Sequence, residues 1–124
     1  MVVDDSGVMR KMVMTRLSDS KMANFEFVEA VDGKDALTKF DPKEIDIGFV
    51  DWNMPEMNGL EFIEAVRSDP HFERLKLVMV TTETEPARMA RALMAGADEF
   101  VMKPFTAEIL VDKFRLIGLN ALST

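Results

Sequence analysis

Ile45-Asp46-Ile47-Gly48-Phe49-Val50-Asp51-Trp52-Asn53-Met54-Pro55-Glu56-Met57-Asn58-Gly59-Leu60-Glu61 carries the pattern that decides the fold. Ile45–Val50 is an apolar run of strand length. Asp51 then stands where a strand meets its loop. Asn58 and Glu61 have the spacing of a capping box, Asn58 as N-cap and Glu61 at the third helical position. The helix opened there directs Leu60, Ile63 and Val66 to one face. A strand, a loop and a helix start therefore follow one another in a single stretch.

The same alternation extends in both directions. Val2–Val3, Phe25–Ala30, Leu75–Val80 and Phe100–Met102 read as further strands. Val8, Met9, Met12, Val13 and Leu17 recur at helical spacing between the first two. Ala36, Leu37 and Phe40 share a helix face after the Asp32-Gly33 turn. Pro86 suits the first turn of a fourth helix, whose inward face reads as Ala87, Ala90, Met94 and Ala97. Gly96 falls near its C-terminal cap. Thr106 is placed to cap a last helix bearing Ile109, Leu110, Phe114 and Ile117. Five βα units in succession predict a parallel sheet covered on both faces. The expected architecture is α/β, a flavodoxin-like (βα)5 doubly wound sheet of strand order 2-1-3-4-5, with residues 1–124 as one domain.

Composition narrows the functional classes. Lys+Arg is 15 against Asp+Glu 22, a formal net charge of −7. An acidic chain is poorly suited to a phosphate backbone, so no direct nucleic-acid binding is expected. The absence of cysteine excludes disulfides and thiolate metal sites. No signal peptide or apolar stretch of membrane-spanning length is visible, so the expectation is a cytoplasmic protein without membrane insertion. The 11 Met residues read as adaptable core filling. His71, the single histidine, follows Pro70 in a polar stretch and is expected to be exposed. Trp52 is expected to be partly buried beneath the loop that follows Asp51.

In the predicted sheet, Asp4, Asp5, Asp51, Thr81 and Lys103 each end or follow a strand, and so fall on one rim. Ligands of open α/β sheets bind beyond the carboxyl ends of the strands, where the strand order reverses. Carboxylates are the ligands of a hard cation such as Mg²⁺. An Asp is also a competent nucleophile toward a phosphoryl group. A carboxylate attacking an anionic phosphoryl group needs its repulsion offset, which a cation and Lys103 together supply. The Thr81 hydroxyl can donate to a phosphoryl oxygen. Taken singly, each residue has an ordinary structural explanation, such as an acid favoured at a helix N-terminus. Their coincidence on one rim is the signal.

With Val3-Asp4-Asp5-Ser6, Asp51-Trp52-Asn53-Met54-Pro55, Met79-Val80-Thr81, Ala95-Gly96-Ala97 and Lys103-Pro104-Phe105 in that order, the chain resembles the receiver domains of two-component response regulators, above all the CheY-like chemotaxis type. The resemblance runs from about Val2 to Leu116. It implies that Asp51 is the phosphoacceptor and that Asp4, Asp5, Asp51 and the backbone carbonyl of Asn53 hold Mg²⁺. It implies Thr81 and Lys103 as switch and phosphate-binding residues, and Asn53 and Glu83 as positions that tune autodephosphorylation. It implies a cis Lys103–Pro104 bond, a histidine kinase as phosphoryl donor, and a downstream protein partner on the face of the fourth helix, fifth strand and fifth helix. Catalysis would be confined to the domain's own phosphorylation and dephosphorylation.

Phe100 departs from the family pattern, standing where a switch Tyr is usual, and offers no hydroxyl. Thr82 is larger than the residue common after the switch Thr. Alternatives are a receiver domain cut from a larger regulator, a phosphorelay intermediate, a phosphorylation-independent interaction module, or a Mg²⁺-dependent phosphatase. The last is disfavoured because Asn53, not a second Asp, lies two residues after Asp51.

Overall fold

The computed structural model describes residues 1–21, 25–39, 41, 44–54, 56–82, 85–103 and 105–116, apart from the side chains of Phe114 and Leu116. Along them run β1 (Val2–Val3), α1 (Gly7–Ser20), β2 (Glu29–Ala30), α2 (Gly33–Lys39), β3 (Ile47–Asp51), α3 (Gly59–Arg67), β4 (Lys76–Thr81), α4 (Pro86–Ala95), β5 (Glu99–Met102) and α5 (Ala107–Leu116), with a 3-10 turn at Pro70–Phe72. The strands pair in parallel in the order β2-β1-β3-β4-β5, as the alternation of elements predicts.

Adjacent strand residues point to opposite faces, and the two faces build separate apolar layers. Val3, Val50, Leu77 and Met79 pack with Ala36 of α2, Leu60, Phe62, Ile63 and Val66 of α3, and Ala92 of α4. Val2, Phe49, Val78, Val80 and Val101 pack with Val13 and Leu17 of α1 and Leu110 of α5. All of β3 is buried, because helices cover both of its faces.

The capping box forms as predicted: Glu61 N–H donates to Asn58 Oδ1 at 2.8 Å and Asn58 N–H to Glu61 Oε1 at 3.3 Å. Pro86 opens α4, and Gly96 caps it at φ 122°, where an L side chain is strained. Thr106 caps α5, its hydroxyl accepting from Ile109 N–H at 3.3 Å.

Three expectations are corrected. The strand over Phe25–Ala30 shortens to Glu29–Ala30, because the ladder extends only as far as Val2↔Glu29 and Val3↔Ala30 on β1. The face predicted to be buried on α4 is rotated: Ala87 and Ala90 are exposed and Met94 is 88% exposed, while Ala92 is buried. Arg88 and Arg91 mark a polar side of this helix, but Leu93 and Met94 on the broad apolar side are themselves exposed and the helix is seated through Ala92, so spacing alone does not set its phase. The methionines divide as well, with Met1, Met54 and Met79 buried but Met94 and Met102 exposed. His71 is exposed and bonds to Asp69, and Trp52 is buried. Phe40 and Ile117 lie outside the described residues, as does the side chain of Phe114.

Arg67, at the end of α3, ties the edge of the sheet opposite the acidic rim. Its guanidinium donates to the carbonyls of Gly96 at 2.9 Å, Phe72 at 3.0 Å and Leu75 at 2.8 Å, and to Asp98 Oδ2 at 2.9 Å. Asp98 Oδ2 also accepts Leu77 N–H at 2.8 Å. A planar five-donor fork suits this arrangement and an ammonium does not. Arg67→Ala leaves a part-buried carboxylate and three carbonyls without this partner, and is expected to destabilise the domain by about 3 kcal/mol. Arg67→Lys should recover only part of the loss. Denaturant unfolding of the two variants checks both expectations.

Candidate functional site

Strand register brings the rim residues together. Val3 is opposite Val50, Asp51 opposite Val80, and Thr81 opposite Met102. Asp4 therefore emerges beside Asp51, and Lys103 follows the partner of Thr81. The carboxylates of Asp4, Asp5 and Asp51 offer oxygen atoms within 4.8 Å of one another. Asp4 and Asp51 are buried and Asp5 is exposed, so the cluster opens to solvent on the Asp5 side.

Lys103 spans the two buried acids. Its Nζ lies 3.0 Å from Asp51 Oδ1 and 3.2 Å from Asp4 Oδ2. The other oxygen of Asp4 accepts Ser6 N–H at 2.9 Å. Ser6 in turn caps α1 by accepting from Met9 N–H at 3.3 Å, so the cap of α1 orients an acid of the site. Burial pushes the Asp51 carboxyl above the ordinary carboxylate value, an effect that the hydrogen bond and charge of Lys103 oppose and the neighbouring Asp4 and Asp5 reinforce. Burial alone would lower Lys103, but its bonds and proximity to Asp51 and Asp4 outweigh this and hold its ammonium above the ordinary value.

Three carboxylates against one ammonium leave an excess of negative charge. The donors are all oxygen, and Asp5 keeps the cluster open. That chemistry fits a hard divalent cation with room for further oxygen ligands, and does not fit a soft metal.

The loop after β3 is held by backbone contacts. Gly59 N–H donates to the Trp52 carbonyl at 2.9 Å. A Cβ on Gly59 would overlap the Asp51 carbonyl oxygen. Gly33 N–H similarly donates to Met57 O at 3.2 Å, and a Cβ there would meet that oxygen at 2.9 Å. Glycine at both places permits the loop to fold back beside Asp51. Arg88, in the first turn of α4, lies over the Trp52 ring at 5.0 Å from its centroid, a cation–π contact from the next loop–helix unit.

Thr81 is buried at the end of β4, and its carbonyl accepts Lys103 N–H at 2.8 Å. Asn53 and Thr82 are exposed. Phe100 is half-buried and packs on the α3–α4 side of the sheet, away from the acids. Glu83 and Pro104 lie outside the described residues, and with them the tuning position and the predicted cis bond. Arg88, Gly59 and Arg67 were not singled out by sequence reading. Gly59 had a signal, a glycine directly after an N-cap in the loop following the central acid.

Residues 1–115 match the family of response regulator receiver domains. The chain is a response regulator receiver domain. It is 38% identical over 122 residues to the chemotaxis protein CheY1 of Helicobacter pylori, spanning 97% of each chain. It is 40% identical over 116 residues to a CheY homologue of Campylobacter jejuni, spanning 91% of this chain and 86% of that one. The receiver domain also superposes on the chemotaxis protein CheY4 of Vibrio cholerae with a TM-score of 0.81 at 35% identity, spanning 94% of each. It is thus a CheY-like receiver of the flavodoxin-like fold. Among the described residues, no helix of the receiver domain is long and apolar enough to cross a membrane.

Proposed function

We propose that this receiver accepts a phosphoryl group on Asp51 from a histidine kinase and thereby switches a surface of α4, β5 and α5 toward a downstream protein partner. The observation that carries the reading is the meeting of Asp4, Asp5 and Asp51 with Lys103 at the strand ends. The acidic cluster and the carbonyl of Asn53 would hold Mg²⁺. That ion supplies charge neutralisation for the phosphoryl oxygens when bound.

The chain's own residues account for the rest. An Asp51 oxygen forms the bond to phosphorus as the bond to the donor's imidazole nitrogen breaks. Lys103, already bonded to Asp51 and Asp4, stays within reach of the incoming oxygens. The Thr81 hydroxyl turns toward the new phosphoryl group, shifting the loop after β4, and Phe100 follows toward the space vacated. The added charge and acceptor oxygens act on a two-state balance. A role in chemotaxis accords with the names of the relatives, and a cytoplasmic location belongs to the same reading.

Acetyl phosphate with Mg²⁺ tests the acceptor. A hydroxylamine-sensitive label on the protein is expected. A hydroxylamine-resistant label would refute an acyl phosphate.

The raised Asp51 carboxyl gives a pH expectation. Cation binding needs the ionised acid, so apparent Mg²⁺ affinity should fall on acidification. The loss should begin at a higher pH than an ordinary Asp near 3.8 would give. The chain has one Trp and no Tyr, so Trp52 fluorescence reports the titration directly. Affinity that stays flat until the ordinary Asp value would contradict the expectation.

A further inference from the structure

Among the described residues, β5 is an edge strand with β4 as its one neighbour. Phe100 packs on the α3–α4 face of the sheet, whereas α5 covers the opposite face through Leu110. Lys113 nevertheless reaches from α5 round the free edge of β5 to the Phe100 ring, its Nζ 5.1 Å from the centroid. The same Nζ lies 3.4 Å from Glu99 Oε1. Glu99 Oε1 also accepts Phe100 N–H at 2.9 Å. The side chains of Lys113 and Glu99 are 27% and 16% exposed, so the set is largely withdrawn from water.

We propose that Lys113 and Glu99 form a latch that holds the Phe100 ring at the sheet edge in the unphosphorylated domain and opens when Asp51 is phosphorylated. This inference rests on the phosphoacceptor reading above. Phe100 has no hydroxyl with which to find a polar partner at the surface. What its ring does offer is the negative face of its quadrupole, and Lys113 lies over it. Rotation of the ring toward Thr81 withdraws that face from the ammonium. The contact therefore belongs to one of the two states, and only a contact that differs between states shifts their balance. Glu99 makes the latch directional, since it fixes the Phe100 backbone while pairing with Lys113. Lys113 and Glu99 are positioning residues acting through Phe100. A lysine that merely shielded the edge of β5 from strand pairing would act equally in both states.

Proton resonances of the Lys113 ε-methylene test the latch, because a ring face shifts them upfield. Addition of beryllofluoride with Mg²⁺ is expected to return them to the ordinary lysine position, while the Trp52 indole and Thr81 amide signals report occupation of the site. If the Trp52 and Thr81 signals move and Lys113 stays upfield, the latch is overturned and the phosphoacceptor reading stands. If none of the three moves, the phosphoacceptor reading fails and the latch with it. Lys113→Met should tighten beryllofluoride binding about threefold to tenfold, the worth of one cation–π contact. Lys113→Arg, which keeps the cation over the ring, should bind as the wild type does. Unchanged affinity in Lys113→Met would also overturn the latch.

Discussion

Asp51→Asn should abolish labelling by acetyl phosphate while leaving the domain folded. The amide has no anionic oxygen to attack phosphorus, and among the described residues no other side chain stands ready to replace it. Asp4 has one oxygen committed to Ser6 N–H and the other to Lys103. Asp5 is exposed and lacks the lysine contact made by the two buried acids. The loss expected is on the order of a thousandfold or more in phosphorylation rate. Stability should move the other way or not at all. Burial already disfavours the charged form of Asp51, so a neutral amide of the same shape relieves desolvation as it gives up the charge of the Lys103 ion pair. Thermal unfolding alongside hydroxylamine-sensitive labelling separates the two effects. Labelling that persists in Asp51→Asn would remove Asp51 from the chemistry.

Gly59→Ala should do the reverse, destabilising the fold and displacing the site together. The added Cβ would overlap the Asp51 carbonyl oxygen and lie 3.0 Å from Trp52 Cα and 3.1 Å from the Asp51 carbonyl carbon. All three are backbone atoms, so no side chain can rotate away. Either α3 retreats, breaking the Gly59–Trp52 hydrogen bond of 2.9 Å, or the backbone of Asp51 moves. A cost of about 3 kcal/mol is expected, with weaker Mg²⁺ binding because a ligand-bearing residue shifts. Gly48→Ala is the control. Its Cβ would meet Leu77 Cδ2 at 3.1 Å, the end of a side chain that can adjust, and about 1 kcal/mol is expected. Denaturant midpoints that ranked Gly48→Ala as the more damaging change would refute the backbone-contact account of Gly59.

The fold was largely legible because local signals agreed with one another. Ile45–Val50, the Asn58–Glu61 box, Pro86 and Gly96 each mark a boundary by a distinct physical device, and together they leave little freedom in the topology. The rim was legible because strand order converts four separated positions into neighbours. The phase of α4 was not. Ala87, Met89, Ala90, Ala92, Leu93 and Met94 form a broad apolar side opposite Arg88 and Arg91, and which of them is buried depends on contacts with Ala97 and the α3 layer, which no local pattern encodes. Arg67 and Lys113 were invisible for another reason. Each acts through partners distant in sequence, at Gly96 and Asp98 for the first and at Glu99 and Phe100 for the second. A lone basic residue near a helix end carries no mark of such a role.

β1 has only two ladder residues, yet it leads directly into Asp4 and Asp5. The Asp4 amide bonds to Ala30 O at 3.0 Å and the Val2 amide to Val28 O at 2.8 Å, short fastenings for an interior strand. A cation shared by Asp4, Asp5 and Asp51 would cross-link β1 to β3 and slow solvent exchange of the amides that join those two strands, among them Phe49 N–H, which bonds to Met1 O at 2.9 Å. At a hundredfold excess over its dissociation constant it would deepen local protection by about 2.7 kcal/mol. The ion that prepares the chemistry would thus also be the rivet of the sheet's shortest inner seam, and its removal by a chelator should loosen β1 before any other interior strand.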